Sequence, residues 1–377
     1  MQDSRWKHAR RILAVRLDNM GDVLMTTPAL AAIRHTLPHA QLTLLTSPSG
    51  GALAPHLPFV DRTLTVRAPW VKHPDGARSA ELAAFAGDIQ ARRFDAAIIF
   101  TTYTQSALPA AMLALLAGIP LRLAHSRENP YELLTHWLPE VEPALARHEV
   151  ERQLALVNSV GLTTPDVRLR FALHGTDVTA AARRLASAGI DVSRPYIVVH
   201  PGATAASRRY PAERFGAAIR LISERFPVPV VFTGHATESE LVRIARDHAG
   251  DRVALLDLAG DLSLGELAAV IGHSALLVCN NSGPAHIAAA LRTPVVDLYA
   301  LTNPQHTPWR TASRVLNHDV PCRNCFKSVC PEGHHACLRG VAPSQVAVAA
   351  LELLTDVTSE APLHPLRAAD ELSISAA

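Results

Sequence analysis

The stretch SALLVCNNSGPAHIAAALRTPVVDLY, Ser274–Tyr299, decides the fold. SALLVC has the length and apolar continuity of a strand buried on both faces, GPAHIAAAL reads as a helix, and PVVDLY is strand-like again. Strand, helix and strand in so short a span make a βαβ unit with parallel strands. Two asparagines, a serine, a glycine and a proline separate the first strand from the helix. So polar a hinge between apolar elements calls for a purpose.

Working outward, the same alternation fills the chain. RILAVRL (11–17), AQLTLLTS, RTLTV, FDAAIIF and LRLAH read as strands in the first half. VLMTTPALAAIRHTL, RSAELAAFAGDIQARR and residues 105–117 read as helices between them. The pattern weakens around 160–195, where Gly161, Pro165, Gly175, Gly189 and Pro195 punctuate it. A second series starts at YIVVH (196–200), runs through the opening stretch and closes on PVVDLYA (294–300). This predicts an α/β protein of two Rossmann-like domains facing across a central cleft. The expected division is 1–165, a linker region 166–195, a second domain 196–342 carrying a Cys-rich loop at 318–340, a helix 343–358 and a mobile tail 359–377. The final helix, SQVAVAALELL, is a candidate for packing back on the first domain.

Length and composition agree. A chain of 377 residues exceeds the usual single core. With 48% hydrophobic and 19% charged residues it is an ordinary globular chain rather than a disordered one. A net charge of +2 leaves no footprint for nucleic acid. RWKHARR (5–11) is basic enough to touch anionic lipid, although a solvated N-terminal arm is the plainer expectation. No apolar signal-peptide core precedes the first strand, and ALPAAMLALLAGI (107–119) is too short to span a bilayer. It is expected to be a core helix, and the protein to be cytoplasmic, at most peripheral to the membrane.

Familiar phosphate motifs are missing. There is no G-x-G-x-x-G, no G-x-x-x-x-G-K-[ST] and no G-x-S-x-G, so dehydrogenase, P-loop and α/β-hydrolase readings lose their support. Three polar breaks stand where strand ends are expected. In the first, Gly21 lets the chain turn and Asp22 enters the next helix. Asp22 is either its cap or a general base, since a helix N-terminus favours the ionised carboxylate a base requires; on this motif alone the cap is preferred. In the second, His200-Pro201-Gly202-Ala203 follows a strand directly, with Arg208 and Arg209 beyond it. Glycine allows a ligand to approach the backbone, and arginine suits forked recognition of phosphate. In the third, Asn281, Ser282 and Gly283 open a helix whose free N–H groups form an anion site, and His286 lies in its first turn. Pro284 fits there because its missing N–H costs nothing; Asn281 or Ser282 is the alternative simple cap.

Taken together, RILAVRLDNMGDVLMTTPALAAIR, HPGATAASRRYP, LAGDLSLGELAAVI and NNSGPAHIAAALRTPVVDLY resemble glycosyltransferase family 9, the lipopolysaccharide heptosyltransferases. The resemblance covers most of the chain from residue 11 to about 300. It implies a GT-B fold and inverting transfer of heptose from ADP-heptose, with no metal required for catalysis. The implied acceptor is a hydroxyl of a lipid-linked inner-core glycan. On the matching positions Asp22 becomes the catalytic base, reversing the preference for a cap. Arg208, with Arg209 beside it, becomes the donor-phosphate contact. Ser282, Gly283 and His286 fall in the donor-binding stretch, and Glu238 is a looser candidate for the ribose. Where the family pattern has Asp before Ser/Thr-Gly, this chain has Asn281, which keeps a carbonyl acceptor but removes a charge. The donor sugar is therefore the open point. Alternatives are a GT-B transferase using another nucleotide sugar or a protein or capsule acceptor, and a non-catalytic nucleotide-sugar binding protein.

Two further sets are candidates. Arg122 in the LRLAH strand and Arg127 just after it would pair with anionic groups of an acceptor, against a plain solvated alternative. Cys322, Cys325, Cys330 and Cys337, with His334 and His335 among them, form a candidate structural site for Zn or Fe, against a reduced, metal-free loop.

Overall fold

The computed structural model describes residues 3–71, 79–140, 147–251 and 253–360. The chain divides into two compact units, Met1–Ala172 and Leu173–Ala377.

In the first unit the elements are β1 (Arg11–Arg16), α1 (Met20–Thr36), β2 (Gln41–Thr46), α2 (Pro48–Gly51), β3 (Arg62–Thr65), α3 (Ser79–Ala91), β4 (Ala96–Ile99), α4 (Leu108–Leu116), β5 (Leu121–Ser126), β6 (His136–Pro139) and α5 (Glu149–Asn158). The six strands pair in parallel in the order β3-β2-β1-β4-β5-β6. Central strands are buried along nearly their whole length, as a parallel sheet covered on both faces requires. Leu13, Val15, Leu45, Ala97 and Ile99 meet Ala110, Ala111 and Ala114 of α4 in one core; α1 packs with α5.

The second unit comprises α6 (Gly175–Ser187), β7 (Ile197–His200), α7 (Ala212–Ser223), β8 (Val230–Phe232), α8 (Ser239–Ala249), β9 (Leu255–Asp257), α9 (Leu264–His273), β10 (Leu276–Asn280), α10 (Gly283–Leu291), β11 (Val295–Leu298), β12 (Ser313–Leu316), α11 (Ala336–Arg339) and α12 (Pro343–Glu360). Its parallel sheet runs β12-β11-β10-β7-β8-β9. Numbered within each unit, both sheets have the doubly wound order 3-2-1-4-5-6. The strand order reverses between β1 and β4, and again between β7 and β10. The loops leaving those strands part there, which is where such sheets bind ligands.

Several expectations are corrected. The basic N-terminus is no solvated arm: Ser4–His8 forms a 3₁₀ turn, and Trp6, fully buried, packs edge-on against His136. α4 is only half a core helix, because Met112, Leu115 and Leu116 of its apolar run are exposed. Among the described residues no helix is long and apolar enough to cross a membrane. PVVDLYA does not close the second series, since β12 adds a strand beside it. The punctuated stretch before it contains α6, which packs on α9. α12 packs on α7 and on the second sheet itself, through Val346, Ala350, Leu353 and Leu354. The tail expected at 359–377 lies, from 361 onward, outside the described residues.

Candidate active site

In the first unit the site begins with a charge inside a strand. Arg16 ends β1 with its side chain fully buried, and three carboxylates surround it. Its Nε lies 2.9 Å from Asp18, one terminal nitrogen 3.3 Å from Asp22, and the other 2.9 Å from Glu149 at the start of α5. Burial pulls the pKa of Arg16 down, but together the three carboxylates outweigh it and raise it above the usual value. Asp18 shows the opposite balance: burial lifts it from 3.8 to about 6 despite Arg16, and the charge of Asp22 adds to the rise. Gln105 donates to Asp18 at 2.5 Å, and Gln153 to Glu149 at 2.6 Å.

Asp22 therefore sits in two settings at once. One oxygen accepts the Asn19 N–H at 3.2 Å, closing the start of α1, while the other faces Arg16. The cap and the functional carboxylate, alternatives in the sequence, coexist in one side chain.

In the second unit the two remaining polar breaks are drawn together by a residue the sequence reading passed over. Asn280, fully buried at the end of β10, donates to the Pro201 carbonyl at 2.7 Å and accepts the Tyr210 N–H at 2.9 Å. It clamps both ends of the HPGATAASRRYP loop to the strand that leads into α10. His200, Gly202 and Glu238 meet there as well. His200 lies 3.8 Å from Glu238 and shares a 3.0 Å hydrogen bond with Thr233. Burial lowers its pKa to about 4, against the pull of Glu238, so its imidazole is neutral near pH 7. A Cβ on Gly202 would lie 2.1 Å from a Glu238 oxygen, so glycine is what lets the two approach. Glu238 also accepts the His235 N–H at 2.9 Å.

Arg209 is tied to the Ala203 carbonyl at 2.7 Å, whereas the Arg208 guanidinium has no hydrogen bond or ion pair among the described residues. Ser282 is the N-cap of α10, with extended backbone, and Gly283 and Pro284 form its first turn. Asn281 and His286 are both buried. The arrangement offers what an anion needs: a cation without a fixed partner, a helix N-terminus and a loop held close to it.

Two candidate sets fare differently. Arg122 is buried, and its guanidinium donates to the carbonyls of Ile119 (2.5 Å), Glu132 (2.8 Å) and Leu133 (2.8 Å). It is a backbone clamp rather than a free cation. Arg127 is exposed and stacks over Tyr103 at 5.0 Å. The four loop cysteines are partly exposed free thiols. They lie close enough for Cys322, Cys325 and Cys330 to raise the Cys337 thiol further, beyond the effect of burial, and Cys322 is 3.9 Å from His334. Yet among the described residues no three His, Cys, Asp or Glu side chains are arranged to hold a metal ion, so the structure does not assemble the candidate site.

Arg16, Asp18, Glu149, Asn280 and Asp297 were missed by motif reading. The available signal was a charged letter inside an apolar strand, in RILAVRL and again in PVVDLYA. Glu149 and Asn280 had no comparable signal.

Two doubly wound parallel α/β units in one chain are the architecture of glycosyltransferases with the GT-B fold. The chain belongs to glycosyltransferase family 9, whose pattern, described as "Glycosyltransferase family 9 (heptosyltransferase)", matches residues 82–336. Lipopolysaccharide heptosyltransferase 3 of Escherichia coli strain K12 is 25% identical over 300 residues, covering 77% of this chain and 82% of that protein. The crystal structure of a family 9 glycosyl transferase from Veillonella parvula superposes with a TM-score of 0.77 at 24% identity, covering 92% of this chain and 98% of that one. E. coli heptosyltransferase WaaC, solved with ADP-2-deoxy-2-fluoro heptose, superposes with a TM-score of 0.61 at 21% identity, covering 92% and 99%.

Proposed function

We propose that the enzyme transfers heptose from ADP-heptose, or a closely related nucleotide sugar, to a hydroxyl of a lipid-linked lipopolysaccharide core, with inversion. The observation that carries this is the Asn280 clamp, which brings the Arg208 loop to the N-terminus of α10 where the strand order reverses. The names of the E. coli heptosyltransferase relative and the heptose analogue in WaaC support the sugar and the nucleotide.

Asp22 removes the proton from the acceptor hydroxyl, and the oxygen attacks the anomeric carbon opposite the nucleotide. Negative charge grows on the departing diphosphate and is met by Arg208 and the positive end of the α10 dipole. Arg127 is the exposed cation offered to anionic acceptor groups. The exposed Met112, Leu115 and Leu116, together with basic Arg5 and Lys7, supply a peripheral contact with anionic lipid. Leu116→Glu should reduce cosedimentation with anionic vesicles severalfold; unchanged binding removes that contact.

The decisive experiment measures nucleotide release from ADP-heptose against UDP- and GDP-sugars with core acceptor. ADP-heptose should be preferred, and Asp22→Asn should lose at least about 100-fold in turnover while ADP affinity stays within about twofold. Near-wild-type turnover refutes the base; ADP binding without turnover on any acceptor returns the protein to the binding class.

A further inference from the structure

The cysteine-bearing loop is bonded into the second unit at two places besides its stems. The stems meet where the His318 N–H donates to the Cys337 carbonyl at 2.8 Å. Between them, residues 324–328 reach two other loops. On one side the Asn324 N–H donates to the Leu301 carbonyl at 2.7 Å and the Phe326 N–H to the Thr302 carbonyl at 2.8 Å. Both acceptors lie in the loop leaving β11. On the other side buried Ser207 donates twice, its N–H to the Ser328 carbonyl at 3.1 Å and its hydroxyl to the Lys327 carbonyl at 2.7 Å. Ser207 belongs to the 3₁₀ turn Ala206–Arg208, in the loop leaving β7. In the parallel sheet β10 lies between β11 and β7. A segment bonded to the loops of both neighbours therefore spans the carboxyl end of β10, where α10 opens.

The backbone bends to make these bonds. Asn324 has a φ of 61° and Phe326 one of 53°. Asparagine tolerates that left-handed region, but an aromatic residue seldom enters it. Burial of the ring does not offset the strain, because the Phe326 side chain is exposed. Such strain persists where surrounding bonds over-determine the conformation, and here those bonds run to Thr302 and, two residues on, to Ser207. The Asn280 clamp holds the same loop at Pro201 and Tyr210. The stretch between those two points, which carries Arg208, has its own separate anchor in Ser207.

We propose that Ser207 is a positioning residue of the donor site, through which the cysteine-bearing loop holds Arg208 in place for the donor diphosphate. The inference rests on the donor-site reading above and deepens it. An arginine on a turn that is already fixed has less freedom to lose when it meets an anion, so the anion binds more tightly. The coupling is reciprocal: a loop that steadies the Arg208 turn is itself steadied when a diphosphate engages Arg208. Cys322, Cys325 and Cys330 flank the bonded segment as partly exposed free thiols, so their reactivity reports on donor binding.

The test is ADP binding by the full chain, measured calorimetrically for wild type, Ser207→Ala, Arg208→Met and the double variant. Ser207→Ala loses the hydroxyl bond and should weaken ADP about fivefold. The double variant should bind no more weakly than Arg208→Met alone, since a residue that acts by placing Arg208 has nothing left to place. A Ser207→Ala protein within about twofold of wild type overturns the inference, and so do losses that simply add. The second measurement is the rate at which N-ethylmaleimide alkylates the native thiols. Saturating ADP should slow it severalfold in wild type and leave it unchanged in Ser207→Ala and Arg208→Met. Equal rates with and without ADP in wild type overturn the inference, as does equal protection in the variants, which would mean that the ligand merely covers the thiols. Should Ser207→Ala fail to fold, the thiol rates of wild type and Arg208→Met decide alone. Absence of ADP binding by wild type overturns the donor-site reading and this inference with it. ADP binding that Arg208→Met weakens and Ser207→Ala does not overturns this inference alone.

Discussion

Replacing Arg16 with Met tests the charge cluster at the end of β1. The guanidinium is fully buried, with contacts of 2.9, 3.3 and 2.9 Å to Asp18, Asp22 and Glu149. Unit charges about 4 Å apart attract by about 4 kcal/mol at an effective dielectric near 20, so three such contacts together offset the burial of one cation. Methionine fills similar volume but leaves three carboxylates facing one another without a counter-ion. Removing one partner of a single buried pair costs about 3–5 kcal/mol, and a partner shared by three acids belongs at the upper end. In a unit of this size each kcal/mol moves the melting temperature by about 2–4 °C, so the loss at pH 8 should be about 10–20 °C. The pH dependence has a definite sign. Asp18 already has a folded pKa of about 6, above its ordinary 3.8, and without Arg16 it goes higher. A carboxyl raised on folding binds its proton more tightly in the folded state. Its contribution is fully favourable below the unfolded value and is lost as pH rises through the folded one. The Arg16→Met deficit should therefore shrink on going from pH 8 to pH 5.5. Thermal melts followed by circular dichroism at both pH values decide it. A loss below about 3 °C at pH 8, or an equal loss at both, refutes the argument that electrostatics holds this cluster together.

Asn280→Ala leaves the Tyr210 N–H and the Pro201 carbonyl without their partner; at about 1–3 kcal/mol for each orphaned buried group, urea unfolding should show a loss of about 2–6 kcal/mol, and ADP affinity should fall about tenfold. Unchanged affinity would mean that the loop holds its shape without the clamp. A thiol reagent should titrate the four partly exposed cysteines of the 322–337 loop in the native protein, while Cys279, fully buried with its thiol pKa raised well above normal, reacts only after unfolding. Fewer than four fast thiols, with Zn or Fe near one equivalent by elemental analysis, would show that the loop closes around a metal.

Much of this was legible in the letters because it depends on local periodicity. Apolar runs of strand length alternating with helical repeats dictate parallel α/β units wherever they occur, and glycine, proline and asparagine at strand ends mark the turns. The strand-end turns that carry His200, Gly202, Ser282 and Gly283 were legible that way. The N-terminal segment was misread because RWKHARR carries one tryptophan among charges, and only a partner such as His136 reveals that this ring is buried. Arg122 was misread for a related reason, since an arginine that satisfies three carbonyls has the same letter as one that meets an anion.

The sequence by itself determined the class of fold, the strand-end turns and the family, because each follows from residue spacing along the chain. Tertiary structure alone decided which charges are buried together. Glu149 reaches Arg16 from 133 residues away, and Asn280 reaches Pro201 across 79. Asp297 is isolated only because neighbouring strands and helices exclude water from it. Burial and long-range pairing set the electrostatics of a site, and neither is a property of any short stretch of sequence.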